Sequence, residues 1–167
     1  SLEGVTLNSD MTVEPGGRVV AVNGLTLNGT LTIVEGSGAY TALEFSGAQT
    51  LGGSGQVLLP GFNQSAQVRP LSGTLTIGPD ITIHGRAGTV GNETLPLVNQ
   101  GRIIADTPLG GFGRGILLVG SDLDNRGTVG ATSEGLAFLR NLKNTGTVSA
   151  SGQGSVVIDG DWNNGGV

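Results

Sequence analysis

His84 is the chain's one histidine, and cysteine is absent. A Ser-His-Asp site would have to use His84, but no Gly-x-Ser-x-Gly elbow is present to hold a serine in reach. Without a histidine pair, a cysteine pair or a His-Glu-x-x-His run, a zinc site lacks its ligands. Asp122-Leu123-Asp124-Asn125-Arg126-Gly127 matches the opening of a calcium loop except at Arg126, and its twelfth position is Ser133 rather than Glu. Asp122 and Asp124 are therefore the candidate metal ligands, set against the plainer expectation of one more Asn-x-Gly corner. No resident cofactor is expected. Asp159 and Asp161 add a second acidic pair. Two carboxylates that face each other can do acid/base work on a sugar, and such a site would recruit a cation from Arg102, Arg114, Arg126 or Arg140.

Composition narrows the partners. The chain has 167 residues, enough for one domain with a core, and a net charge of −5. Its eight Lys and Arg do not cluster, which argues against nucleic acid or an anionic membrane. No apolar run is long enough to span a bilayer. Glycine is 32 of 167, charged residues are 13% and aromatics 4%. The hydrophobic residues fall in short regular runs, which argues for order despite the glycine.

A repeat supplies that order. Val98-Asn99-Gln100-Gly101-Arg102-Ile103 returns as Leu123-Asp124-Asn125-Arg126-Gly127-Thr128-Val129, then as Leu142-Lys143-Asn144-Thr145-Gly146-Thr147-Val148, and restarts at Asn163-Asn164-Gly165-Gly166-Val167. The glycine spacings are 26, 19 and 19. A fixed short period marks a solenoid, in which each repeat buries its apolar face against its neighbours. Looser copies end at Gly29, Gly55 and Gly73, with Asp10 at the first. Taken with Gly101, Gly127, Gly146 and Gly165, they give steps of 19, 26, 18, 28, 26, 19 and 19.

Within each coil the pattern has period two, as in Leu31-Thr32-Ile33, Leu75-Thr76-Ile77 and Ile81-Thr82-Ile83. Such runs are strands. The segment 134–142 contains helix formers, but its alignment with 115–119 and 154–158 makes it a strand. The fold expected is all-β: a right-handed single-stranded parallel β-helix (β-solenoid) of about seven coils of 18–28 residues. Right-handedness follows from the usual hand of parallel crossovers. One domain covers 1–167, with irregular coils in 1–98 and regular ones in 99–167. Ser1 is not methionine and the last repeat stops as it restarts, so the expectation is a piece of a longer chain. Residues 1–24, with Pro15-Gly16-Gly17 as a turn, are a candidate cap. An open solenoid end invites end-to-end self-association.

Asn99, Asn125, Asn144 and Asn163 are expected to form an inward corner ladder, their amides bonding along the stack. Gly101, Gly127, Gly146 and Gly165 are expected to supply a positive φ at that corner. Asn164 and Gly166 fit the last rung equally well. Thr30, Thr74, Thr128 and Thr147 would form a column after the glycine, interrupted by Gln56 and Arg102, too broken for a regular ice-binding array.

Leu-x-Asn-x-Gly-Thr-Val-x-Ala, at Leu123 to Ala131 and Leu142 to Ala150, resembles the β-helical stalks of large secreted bacterial proteins, the autotransporter passengers and filamentous-haemagglutinin-type adhesins. The resemblance covers 99–167 well and 5–98 loosely. It implies an extracellular or cell-surface protein, outer-membrane-associated, serving as scaffold or adhesin for a glycan or a host or cell-surface partner. Some relatives of that kind carry glycan-cleaving sites, so a carbohydrate-active module (polysaccharide-binding, lyase or hydrolase) is the alternative. Loops on a rigid scaffold often carry recognition. The longer steps point to inserted segments at Val34 to Phe45, Leu59 to Pro70, Gly85 to Pro96 and Thr107 to Gly115. These give Tyr40, Phe62, Arg69, Phe112 and Arg114 as candidate ligand-binding residues, and Asn92-Glu93-Thr94 as a formal glycosylation acceptor.

Overall fold

The structure, a computed structural model, describes residues 1–107, 116–120 and 122–167. Among these residues every strand pairing is parallel and there is no helix. The chain winds as a β-solenoid of about seven turns with three faces. The first face stacks Thr41–Phe45, Ala66–Pro70, Gly88–Val90 and Ile116–Val119. The second stacks Gln49–Gly52, Leu75–Ile77, Leu97–Asn99 and Leu123–Asn125. The third stacks seven strands from Met11–Val13 to Thr147–Ala150. Four longer strands, Leu2–Leu7, Arg18–Leu27, Leu136–Asn144 and Ser155–Asn164, run across both the first and second faces.

Alternation explains the burial. In each strand one set of side chains points inward, and parallel register stacks like on like. Leu31, Val57, Ile83, Ile103 and Val129 form one such stack on the third face, all fully buried. Leu43, Val68, Val90, Val119 and Leu139 form another on the first. Each buried Leu, Ile or Val contributes roughly 1.5–3 kcal/mol, and the stacks run the length of the rod.

The register corrects several expectations. The third-face outer column is Thr30, Gln56, Thr82, Arg102, Thr128 and Thr147, so Thr82 and not Thr74 belongs to it. Its steps are 26, 26, 20, 26 and 19. Gly73 therefore does not share the corner of Gly29 and Gly55; Ile81 occupies that place. Met11 pairs with Leu31, so Ser9 rather than Asp10 stands level with Gly29. The longer segments are not pure insertions, because Thr41–Phe45, Ala66–Pro70 and Gly88–Val90 are first-face strands. Residues 1–24 are no separate cap: Leu2–Leu7 already pairs with Arg18–Leu27.

The ladder is present with a shifted last rung. Asn99 Nδ2 donates to Asn125 Oδ1 at 2.8 Å, Asn125 Nδ2 to Asn144 Oδ1 at 2.6 Å, and Asn144 Nδ2 to Asn164 Oδ1 at 2.7 Å. Asn163 stands instead beside Lys143 on the outer side. The cause is a bulge: Arg140 pairs with Asp159 but Leu142 with Trp162, so the last coil carries one extra residue around Gly160.

The corner glycines also work differently from the expectation. Gly101, Gly127, Gly146 and Gly165 do not lie in the left-handed region. A Cβ on Gly127 would collide with the Gly101 carbonyl, one on Gly146 with that of Gly127, and one on Gly166 with that of Gly146. Glycine lets the coils approach there, and Gly166 rather than Gly165 is the last of the series. Left-handed residues lie instead at the corner between the first and second faces, where Asn23, Asp122 and Asn141 have φ of 59°, 53° and 47°, and at the third-to-first turn, where Ser133 and Glu134 have φ of 48° and 69°. Asn and Asp tolerate that conformation best among residues with a Cβ.

Candidate functional site

The edge between the third and first faces carries the longer loops, at 34–40 and 60–65, with 86–87 in the next coil. Tyr40, Phe62 and Arg69 all flank it. Phe112 and Arg114 lie outside the described residues.

Among the described residues Phe62 is the most exposed aromatic on this edge, at 63%. It is nonetheless pinned. Glu35 Oε2, from the preceding loop, accepts hydrogen bonds from Phe62 N at 2.7 Å and Asn63 N at 2.9 Å. Asn63 Oδ1 accepts from Ser65 N at 2.7 Å, which closes the turn. The Arg86 guanidinium lies over the Phe62 ring, 4.4 Å from its centroid. One ring face is used by Arg86, which leaves the rest of the ring to solvent.

Tyr40 is built in rather than displayed. Arg69 and Arg18 lie over its ring at 4.3 and 5.1 Å. Both guanidiniums converge on Glu44, which is fully buried beneath them. Arg18 donates to Glu44 through Nε at 3.0 Å and Nη2 at 2.7 Å, and Arg69 through Nε at 3.1 Å and Nη2 at 2.7 Å. Burial pushes the Glu44 carboxyl up, but the hydrogen bonds from Arg18 and Arg69 outweigh it and hold the group below its ordinary value. The hydrogen bond to Glu44 raises Arg18 in turn. Arg69 is therefore committed to a structural cluster spanning three coils.

His84 pairs with Asp106 across adjacent coils, Nδ1 to Oδ2 at 2.8 Å. Its Nε2 is buried without a hydrogen-bond partner. Among the described residues no serine or threonine hydroxyl bonds to it.

Asp124 is taken by a guanidinium. Arg126 donates to its Oδ2 through Nη2 at 2.6 Å and Nε at 3.1 Å, and Lys143 Nζ stands 3.9 Å away. The bond to Asp124 raises Arg126. Among the described residues no group of three His, Cys, Asp or Glu is placed to hold a metal ion. Asp122 lies apart at the first–second corner. It shares a concavity of about 340 Å³ with Asn141, Lys143, Asp161 and Trp162. Asn92 is engaged as a turn former. Its Oδ1 accepts from Thr94 N and Leu95 N at 3.0 and 2.7 Å, and its Nδ2 donates to Pro70 O at 3.0 Å.

Sequence reasoning missed Glu35, Arg86, Arg18 and Glu44. Their signal was spacing: Arg18, Glu44 and Arg69 are 26 and 25 residues apart, close to one long coil step. No family model matches the chain, and neither a curated protein nor a solved structure matches it.

Proposed function

We propose that the chain is a rigid structural and adhesive scaffold of a secreted or cell-surface bacterial protein, presenting the loop edge around Phe62 to a glycan or surface partner. The observation that carries this reading is the fixed exposure of Phe62. An aromatic held at its backbone by Glu35 and beneath its ring by Arg86 loses little entropy on binding, which suits an interface anchor. The autotransporter-like and haemagglutinin-like character rests on the Leu-x-Asn-x-Gly-Thr-Val pattern. A glycan-array and cell-surface binding screen of the purified chain tests the reading. Phe62→Ala is expected to weaken a hit by about tenfold or more, while Trp162→Ala leaves it unchanged. The reverse result would place the anchor elsewhere.

The carbohydrate-active alternative has one observation in its favour. Asp122 and Asp161 flank the same concavity as Lys143 and Trp162. They stand two coils apart, roughly 10 Å by the strand spacing, near the carboxylate separation of about 6.5–9.5 Å in inverting glycosidases. Release of reducing ends that Asp122→Asn abolishes would favour this alternative over the scaffold. Self-association is a further expectation of the scaffold reading. Trp162, Val167 and Ile158 expose apolar surface on the last coil, and sedimentation should show mass rising with concentration.

A further inference from the structure

Midway along the first face, the outward column loses its side chains at Gly91 and Gly120. The loop after Gly91 folds back over the strand, and a Cβ on Gly120 would collide with the Asn92 backbone. The Asn92 hydrogen bonds to Thr94, Leu95 and Pro70 hold that loop in place. A small cleft of about 90 Å³ results. Leu118 and Phe138, stacked in register with Thr89, form one wall, and the Asn92–Glu93 loop forms the other. At the mouth, Arg140 Nη1 donates to Glu93 Oε1 at 3.3 Å. The Arg140 guanidinium stands 5.9 Å from the Phe138 ring centroid, and its Nε is 4.0 Å from Asp159.

We propose that this cleft is a subsite for the acetamido group of an N-acetylated sugar. The proposal rests on the adhesive reading above only in taking a glycan as the ligand, and it adds a contact site separate from the Phe62 edge. Size limits the occupant: a cleft of about 90 Å³ suits a small substituent rather than a whole sugar ring. Its Leu118 and Phe138 wall favours an apolar group, because a methyl there displaces poorly held water. Its mouth places a cationic donor beside a carboxylate acceptor. An amide carries one carbonyl acceptor and one N–H donor, and so answers both. The ring itself rests across the mouth, with its C–H face toward Phe138. A sugar carboxylate would meet Glu93 and Asp159, like charge against like. A 2-ammonium group would set a charge against the apolar wall. A 2-hydroxyl is too short to fill the cleft.

The β-1,4-linked trimers of N-acetylglucosamine, glucosamine and glucose differ only in that substituent. Each is titrated into the intact chain, with amide NMR shifts as the readout. The N-acetyl trimer is expected to bind roughly tenfold or more tightly than the other two and to shift Gly120 and Phe138. Arg140→Gln should weaken it about tenfold, whereas Thr82→Ala, on the third face, should not affect it. Equal binding of the three trimers, shifts confined to the Phe62 loop, or no shift at all would each overturn the subsite. Loss of surface binding in Phe62→Ala with trimer binding intact would leave the subsite standing and bear only on the scaffold's anchor.

Discussion

One interior column of the solenoid is filled in two ways. In the second, third and fourth coils it holds Leu25, Leu51 and Ile77; in the next four it holds Asn99, Asn125, Asn144 and Asn164. The backbone is the same parallel ladder throughout. Aliphatic residues need only contact, so each rung stands on its own. Amides need partners, so each asparagine depends on the rungs above and below. The cost of the polar solution collects at its lower end, where Asn99 sits over Ile77. There Asn99 Oδ1 is buried without a partner, while the Nδ2 groups of Asn99, Asn125 and Asn144 each donate to the next rung. A polar column inside a solenoid is affordable when it is long, because the number of orphaned atoms stays fixed as rungs are added.

The most damaging way to break the contrast is to put an asparagine into the aliphatic half. Leu51→Asn loses a buried leucine and strands an amide between Leu25 and Ile77. The expected cost is about 4 kcal/mol or more, read by chemical denaturation. The opposite swap, Asn125→Leu, severs the ladder in the middle and leaves Asn144 Oδ1 without its donor. About 2–3 kcal/mol is expected, and a neutral result would mean the amide chain contributes nothing.

Protonation separates the two halves in another way. The Arg18–Glu44–Arg69 cluster belongs to the aliphatic coils, on strands Arg18–Leu27, Thr41–Phe45 and Ala66–Pro70, whereas the ladder is neutral amide. Glu44 is held below its ordinary 4.5 in the fold, so its contribution is present above about pH 4.5 and is lost as pH falls through the folded value. Hydrogen exchange should show the second to fourth coils loosening in acid before the coils that carry the asparagine ladder. Glu44→Gln should remove that order and cost about 2 kcal/mol at neutral pH. The mildest substitution is Ile77→Asn. Its Nδ2 would reach the orphaned Asn99 Oδ1 and move the orphan down one rung. The cost should be about 1 kcal/mol, well below that of Leu51→Asn; equal costs would show that the ladder cannot be extended.

The same contrast explains what could be read in advance. The regular coils were legible because Asn and Gly recur where both are needed, Asn for the ladder and Gly for the close approach of Gly127 to the Gly101 carbonyl. In the first half the column is aliphatic, and Leu51 looks like any other core leucine. Ser72-Gly73-Thr74-Leu75 then imitated the corner while belonging to a different one. Asn163 was indistinguishable from Asn164 because a single bulge residue near Gly160 moves the register, and no local pattern marks it. The pinned Phe62 and the Glu44 cluster were hidden for a related reason. Their partners are one coil away, so they become visible only once each coil's length is known.

The most direct test of the account is deuterium exchange of the asparagine side-chain amides, followed by NMR in the intact chain. Asn125 and Asn144 Nδ2 protons should exchange only with global unfolding, while Asn163 exchanges as an exposed amide. A protected Asn163, or an Asn125 amide that exchanges freely in the folded chain, would contradict the stacked ladder and with it the register of the coils.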